Sequence, residues 1–156
     1  MSESEMLSYL AKYCSQTERC LYDVRKKIKS QDLSCEEEKR IINHLLKEKF
    51  IDEKRFSRCF VHDKFKFNHW GRIKICYELK LRGVPPEAYQ EAIETIGEDE
   101  YVAVLTELLV KQKRTVKGRS QQDIYQKLCR FASARGFEPG LISSILKKMF
   151  KNMDDD

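Results

Sequence analysis

The residue types that most often carry out catalysis are scattered in this sequence. The three histidines are His44, His62 and His69, and none has a nucleophile or an orienting acid at a meaningful spacing. His62 and Asp63 are adjacent, but neighbouring side chains on a helix point roughly 100° apart, so this pair cannot act together. Glycine-rich phosphate-binding motifs do not occur. We therefore expect a protein that is not an enzyme and has no catalytic residues and no cofactor.

The cysteines raise the alternatives of a zinc site or a disulfide framework. None of them forms a CxxC pair, the spacing at which zinc ligands are usually found. The first residues are polar and acidic, unlike a secretory signal peptide. We interpret the cysteines as reduced, buried thiols of a cytoplasmic protein without a metal site; they are Cys14, Cys20, Cys35, Cys59, Cys76 and Cys129. No apolar run approaches the roughly 20 residues that cross a bilayer, so we expect no membrane partner.

Charge is the more informative pattern. The chain has 30 basic and 25 acidic residues, and residues 1–52 are neutral, with ten of each. The excess lies in two stretches, each at the end of one predicted helix and the start of the next. Such stretches favour a nucleic acid or an acidic protein groove as partner. The predicted partner- or DNA-binding residues are Lys64, Lys66, Arg72, Lys74, Lys80, Arg82, Lys111, Lys113, Arg114, Lys117 and Arg119.

Aromatic residues accompany the first basic stretch. Phe65, Phe67 and Trp70 could stack on bases, although their spacing is more typical of a helical core. No predicted helix begins with the cluster of Asn, Gln and Arg that reads base edges. If DNA is bound directly, we expect phosphate contacts without sequence specificity.

The elements that carry these residues are predicted to be helices throughout. Only 6 glycines and 3 prolines are available for turns, and apolar residues recur at intervals of three and four. Residues 15–18 and 34–37 read as capping boxes that open helices, and Asp52 reads as the N-cap of a helix from Glu53 to about Phe67. In that helix Phe56, Phe60 and Phe67 are predicted to face the core.

An internal repeat organises the helices. Arg82-Gly83-Val84 and Arg135-Gly136-Phe137 are each followed by a proline that opens another helix. Leu33 occupies the equivalent place near the start of the chain, without the glycine. We therefore predict an all-α fold of three tandem three-helix repeats, of helix-turn-helix type, which form a curved elongated rod. The predicted boundaries are 1–51, 52–97 and 98–150, with an acidic, frayed tail at 151–156.

The sequence resembles the RecX family of bacterial recombination regulators over residues 6–150. The family's central motif appears as residues 50–56, FIDEKRF, then Gly71, and then residues 78–84, ELKLRGV. Weaker matches are Leu10-Ala11 with residues 15–18, and Leu128 to Phe137 followed by Ile142. The chain departs from the family in its cysteine-rich first helices and at residues 60–63, where the family often has further arginines.

The resemblance implies three three-helix repeats, no enzymatic activity, and a role in recombinational DNA repair. It also implies binding to the RecA recombinase in the helical groove of its filament on DNA, with suppression of ATP hydrolysis and strand exchange. We expect a monomer whose basic residues in the second and third repeats touch the filament. The alternative is a helical-repeat module that binds single- or double-stranded DNA directly.

Overall fold

A computed structural model describes residues 1–154 of the chain, and its side chains up to Lys151. Within these residues the protein is all-α, as predicted, and contains nine helices and no strand. None of the helices is both long and apolar enough to cross a membrane. The helices are α1 (Glu3–Gln16), α2 (Leu21–Lys29), α3 (Cys35–Lys47), α4 (Glu53–Lys66), α5 (Arg72–Leu81), α6 (Pro86–Glu94), α7 (Glu98–Thr115), α8 (Gln121–Ala134) and α9 (Pro139–Asp154).

The chain divides into two compact units. The first contains Met1–His62 and Glu78–Ala92, and the second contains Asp63–Tyr77 and the chain from Ile93 onward. In the first unit α1 packs against α3, and apolar side chains of α1, α2 and α3 close one core. This core contains Met6, Leu10, Cys14, Val24, Ile28, Ile41, Ile42, Leu45 and Ile51.

The second unit has an aromatic centre. The ring of Tyr101 lies 5.8 Å from that of Phe65 and 5.2 Å from that of Phe137, measured between centroids. All three side chains are buried, and α7, α8 and α9 pack pairwise around them. Pairs of aromatic rings at this separation contribute about 0.5–1.5 kcal/mol beyond their buried area.

The two glycine turns that define the repeat have the same hydrogen bonds. After α5 the N–H groups of Gly83 and Val84 donate to the carbonyls of Lys80 and Leu79. After α8 those of Gly136 and Phe137 donate in the same way to Ser133 and Ala132. Gly83 and Gly136 have φ values of 71° and 92°, the left-handed conformation of a Schellman C-cap, as predicted for Gly83.

The predicted helix starts are partly correct. Ser34 and Glu37 form the expected capping box, and the Asp52 carboxylate accepts from the N–H of Arg55 at 3.0 Å. The capping box at 15–18 is wrong, because α1 continues to Gln16. There the Ser15 hydroxyl donates to the Ala11 carbonyl one turn earlier. The cap of α2 is instead Cys20, whose N–H donates to Asp23 at 3.1 Å.

Two burial predictions are also wrong. Phe56 and Phe60 face the core, but Phe67 is 74% exposed, because α4 ends one residue earlier, at Lys66. Of the six cysteines, none of which forms a disulfide, only Cys14 and Cys20 are buried, and Cys35 and Cys59 are exposed. In the segment predicted as a tail, α9 continues to Asp154, and Asp155 and Asp156 lie outside the described residues.

Candidate interaction surface

Arg72, at the start of α5, is engaged inside the second unit. Its guanidinium donates to Glu98 of α7 and, at 2.9 Å, to Glu138, which immediately precedes α9. It also lies over the Tyr101 ring, with Cζ 3.8 Å from the centroid. Only 24% of the Arg72 side chain is exposed. The two carboxylates and the buried ring therefore hold the Arg72 guanidinium in place. The arginine links α5 to α7 and to the residue that precedes α9.

Tyr101 completes the network around Arg72. Its hydroxyl accepts from the Arg72 N–H at 3.0 Å and donates to the second oxygen of the Glu138 carboxylate. Burial and then the hydrogen bond to Glu138 raise the pKa of Tyr101 above its usual range. Burial by itself lowers the pKa of Arg72, but the hydrogen bond to Glu98 and the charge of Glu138 give a net increase. The arginine is therefore charged and the phenol neutral at physiological pH.

A close backbone contact holds the glycine turn after α8 against the start of α5. The Gly71 N–H donates to the Arg135 carbonyl at 2.7 Å, and the Ile73 N–H donates to the Gly136 carbonyl at 3.0 Å. A Cβ atom on Gly71 would lie 2.3 Å from the Gly136 carbonyl oxygen. A Cβ atom on Gly136 would lie 2.2 Å from that of Lys74. Both glycines are therefore required by this approach of two backbones.

Cations surround the half-buried Trp70 beside this contact. The ammonium groups of Lys64 and Lys74 lie 4.8 and 4.5 Å from the centre of its ring system. A third cation, Arg135, lies over the Phe131 ring and donates to the carbonyl of Asn68, two residues before Trp70. Sequence reasoning missed Arg135, because it lies 61 residues after Lys74 and outside both basic stretches. The only signal was its place in the repeated Arg-Gly-apolar turn.

The other predicted cations of the first stretch differ in their surroundings. Lys66 is paired with Glu100 in the second unit, and both side chains are almost half exposed. In the first unit Arg82 pairs with Glu78 at 3.2 Å and lies over the Phe60 ring. Lys80, also in the first unit, is exposed.

The second basic stretch lies at the end of α7 and in its connection to α8, all within the second unit. Lys111 pairs with Glu107 on its own helix, with both side chains 69% exposed. Lys113 lies over the Phe150 ring, 4.5 Å from its centroid. Arg114, Lys117 and Arg119 are exposed, and among residues 1–151 none of the three is in an ion pair. We call Arg114, Lys117 and Arg119 the open cations.

The connection that carries the open cations is anchored by its backbone. The Arg119 N–H donates to the Asp123 carboxylate at 3.0 Å, and the Lys117 carbonyl accepts from the Lys127 ammonium at 2.6 Å. The side chains of Lys117 and Arg119 therefore project from a backbone held against α8. Beside Arg114, an open groove of about 500 Å³ is lined by Val110, Lys113, Arg114 and Met149.

The described residues hold no arrangement suited to metal chemistry. Within them, no three side chains of His, Cys, Asp or Glu come together as ligands. His69 has a positive φ of 55° and a buried Nδ1 atom without a partner in the described chain, and it lines a small cavity with Lys111. The exposed open cations are instead suited to contact with an anionic surface.

The fold and these surfaces define an all-helical protein of three-helix elements with exposed cations near its turns. Comparison with models of known protein families identifies the class more closely. Residues 52–93 match the family model for the second three-helix domain of RecX, and residues 98–146 match the model for its third three-helix domain. The two matches cover more than half of the chain, which therefore belongs to the RecX family.

Named relatives and solved structures agree with this assignment. The regulatory protein RecX of Clostridium tetani is 29% identical over 136 residues, which is 85% of this chain and 60% of that protein. The protein of the same name from Lactobacillus johnsonii is 22% identical over 156 residues, 99% of this chain and 58% of that protein. The chain thus spans about three fifths of the length of these curated relatives.

Two crystal structures have the same fold. The structure of RecX from Lactobacillus salivarius gives a TM-score of 0.82 at 20% identity, covering 94% of this chain and 95% of that one. A second crystal structure, of a regulatory protein RecX, gives a TM-score of 0.85 at 19% identity. It covers 93% of this chain and 73% of that one. The all-α prediction and the family resemblance are both confirmed.

Proposed function

We propose that this protein regulates RecA recombinase filaments by binding in their helical groove on DNA. Bound there, it reduces ATP hydrolysis and strand exchange during recombinational DNA repair. Membership of the RecX family carries the proposal, and the partner follows from the resemblance of residues 50–56 and 78–84 to the family's central motif.

The open cations supply a contact for an anionic groove. Arg114, Lys117 and Arg119 have no competing carboxylate among residues 1–151, so they do not have to break an ion pair before binding. Arg72, by contrast, would have to leave two carboxylates and a buried ring. Of the residues predicted from the sequence, we therefore assign the filament contact to the second basic stretch.

Binding alone suffices for the regulatory effect. A protein that binds one state of a filament more tightly than another shifts the population toward that state by its difference in affinity. A regulator of this kind needs no catalytic group. We expect a monomeric, cytoplasmic protein that acts through this difference.

The proposal is tested by adding the protein to recombinase filaments on single-stranded DNA and measuring ATP turnover. We expect turnover to fall as the protein is added, and strand exchange to fall with it. Unchanged turnover at saturating protein would contradict the inhibitory role. Binding to naked DNA is measured in parallel, because equal affinity with and without recombinase would favour the alternative, a module that binds DNA directly.

A further inference from the structure

The first repeat has a basic and aromatic surface that its neutral total charge conceals. Residues 9–30 contain six basic side chains and only two acidic ones. Of these two acids, Glu18 pairs with Arg55, and Asp23 accepts the Cys20 N–H as the cap of α2. The excess is balanced elsewhere in residues 1–52, where residues 1–8 and 31–52 contain eight acidic and four basic side chains. Basic charge is thus concentrated in residues 9–30.

A groove of about 440 Å³ opens on this basic side of the repeat. We call it the tyrosine groove, and it is lined by Tyr13, Asp23, Lys26, Lys27 and Ser30. Arg19 and Lys27 lie over the Tyr13 ring, at 3.9 and 5.3 Å from its centroid. Lys26 lies 5.4 Å from the centroid of Tyr22.

The two lysines of the tyrosine groove are available to an anion, whereas Arg19 beside them is half-buried and its Nε–H donates to the Tyr13 carbonyl at 3.4 Å. Among residues 1–151, neither Arg19, Lys26 nor Lys27 is in an ion pair with a carboxylate. Lys26 and Lys27 are exposed on α2. Contacts of exposed lysines with ring faces are weak, so a bound phosphate can replace them.

Two exposed aromatic rings lie beside residues that line this groove, Tyr9 beside Tyr13 and Tyr22 beside Lys26. Tyr9 and Tyr22 are 40% and 43% exposed, and they are among the most exposed large apolar side chains of the first repeat. The Tyr9 ring is nearly parallel to that of Tyr13, with an angle of 5° and centroids 6.4 Å apart. Flat rings beside unpaired cations are the combination found where single-stranded nucleic acids bind.

We propose that the tyrosine groove binds single-stranded nucleic acid. Arg19, Lys26 and Lys27 hold the phosphodiester backbone, and bases stack on the exposed rings of Tyr9 and Tyr22. An acidic protein segment would satisfy the cations but would have no use for two exposed tyrosines. The site goes beyond the proposed function, since it needs no recombinase.

The phosphate contacts are tested with the full chain and a fluorescent oligothymidylate, without recombinase, by fluorescence anisotropy at several salt concentrations. Replacing both lysines, Lys26→Ala with Lys27→Ala, is expected to reduce affinity about tenfold. The slope of log affinity against log salt concentration should become shallower by about 1.4. The matched control removes the same charge from α3, as Lys39→Ala with Lys47→Ala, and should bind as the wild type does. Equal losses in both variants would show attraction by net charge only and overturn the site.

Stacking is tested separately at Tyr22. Tyr22→Ala should weaken binding about fivefold or more, whereas Tyr22→Phe keeps the ring and should keep most of the affinity. An abasic oligonucleotide should bind less tightly than oligothymidylate and should not distinguish wild type from Tyr22→Ala. Equal binding of the abasic and thymidine oligomers, or displacement of the DNA by an equimolar polyglutamate peptide, would overturn the assignment. Circular dichroism confirms that each variant is folded.

Discussion

The two basic stretches look alike in the sequence and differ in the structure. In the first, Arg72 is held between Glu98, Glu138 and the Tyr101 ring, and Lys66 and Arg82 have carboxylate partners as well. In the second, Arg114, Lys117 and Arg119 are exposed without ion pairs among residues 1–151. A run of cations can therefore either stabilise a fold or remain available to a partner. Substitutions of the paired cations of the first stretch and of their contacts should therefore reduce stability, and those of the open cations should reduce binding.

The largest effect is expected at the glycine that contacts the first stretch. Gly136→Ala would place a Cβ atom 2.2 Å from that of Lys74 at a φ of 92°. We expect a loss of about 3 kcal/mol or more in the free energy of unfolding, measured by urea denaturation. The control is Gly140→Ala, since a Cβ atom there meets nothing within 4 Å. A Gly136→Ala protein as stable as this control would refute the close contact.

Arg72→Ala should come next in size. The substitution leaves the half-buried Glu138 carboxylate without its guanidinium and removes the cover of the Tyr101 ring. We expect a loss of about 2–3 kcal/mol in the free energy of unfolding. Arg114→Ala removes the same charge from the second stretch and should change stability by less than about 0.5 kcal/mol. Similar losses for the two arginines would contradict the difference between the two stretches.

Alkaline pH should weaken the network around Arg72 through Tyr101. Because the folded state raises the pKa of this phenol, the native chain keeps a proton that the unfolded chain loses from about pH 10. The phenol's contribution to stability is therefore complete below pH 10 and is lost as the pH rises toward the higher native pKa. Tyr101→Phe should show a smaller decrease in stability above pH 10 than the wild type. Parallel pH profiles for the two proteins would argue against the raised pKa.

The smallest effect is expected for the ion pair between Lys66 and Glu100. Its side chains are 42% and 45% exposed, so solvent and salt screen the interaction. Lys66→Ala should lower the free energy of unfolding by at most about 1 kcal/mol, and less at high salt. A larger loss, unchanged by salt, would place Lys66 with Arg72 as a main stabilising residue of the first stretch.

Much of the fold could be predicted from the sequence, because helices depend on local patterns. The Gly83 and Gly136 turns share one hydrogen-bond pattern, and the repeated Arg-Gly-apolar sequence indicated it. The start of α2 was mispredicted because Ser15 and Glu18 satisfy the capping motif locally. In the folded chain Glu18 instead pairs with Arg55, 37 residues further on. The contact between Gly71 and Gly136 is likewise long-range and leaves no local signal.

The candidate surface was less predictable, since a count of charges does not show which cations are paired. The partners of Arg72 lie 26 and 66 residues away in the sequence. Arg135 was missed because the fold, and not the sequence, brings it beside Asn68. The tyrosine groove was hidden for the opposite reason, because acidic residues elsewhere in the first repeat balance its cations in any sum over that repeat.

The most direct test of the proposed function is the ATP turnover of recombinase filaments with two charge-reversed variants. One changes the open cations, as Arg114→Glu, Lys117→Glu and Arg119→Glu. The other changes the exposed lysines of α9 by the same charge, as Lys147→Glu, Lys148→Glu and Lys151→Glu. We predict that wild type and the α9 variant reduce turnover alike, and that the first variant needs at least about tenfold more protein, as for the loss of several close charge contacts. Equal inhibition by both variants, or no inhibition by the wild type, would contradict the account.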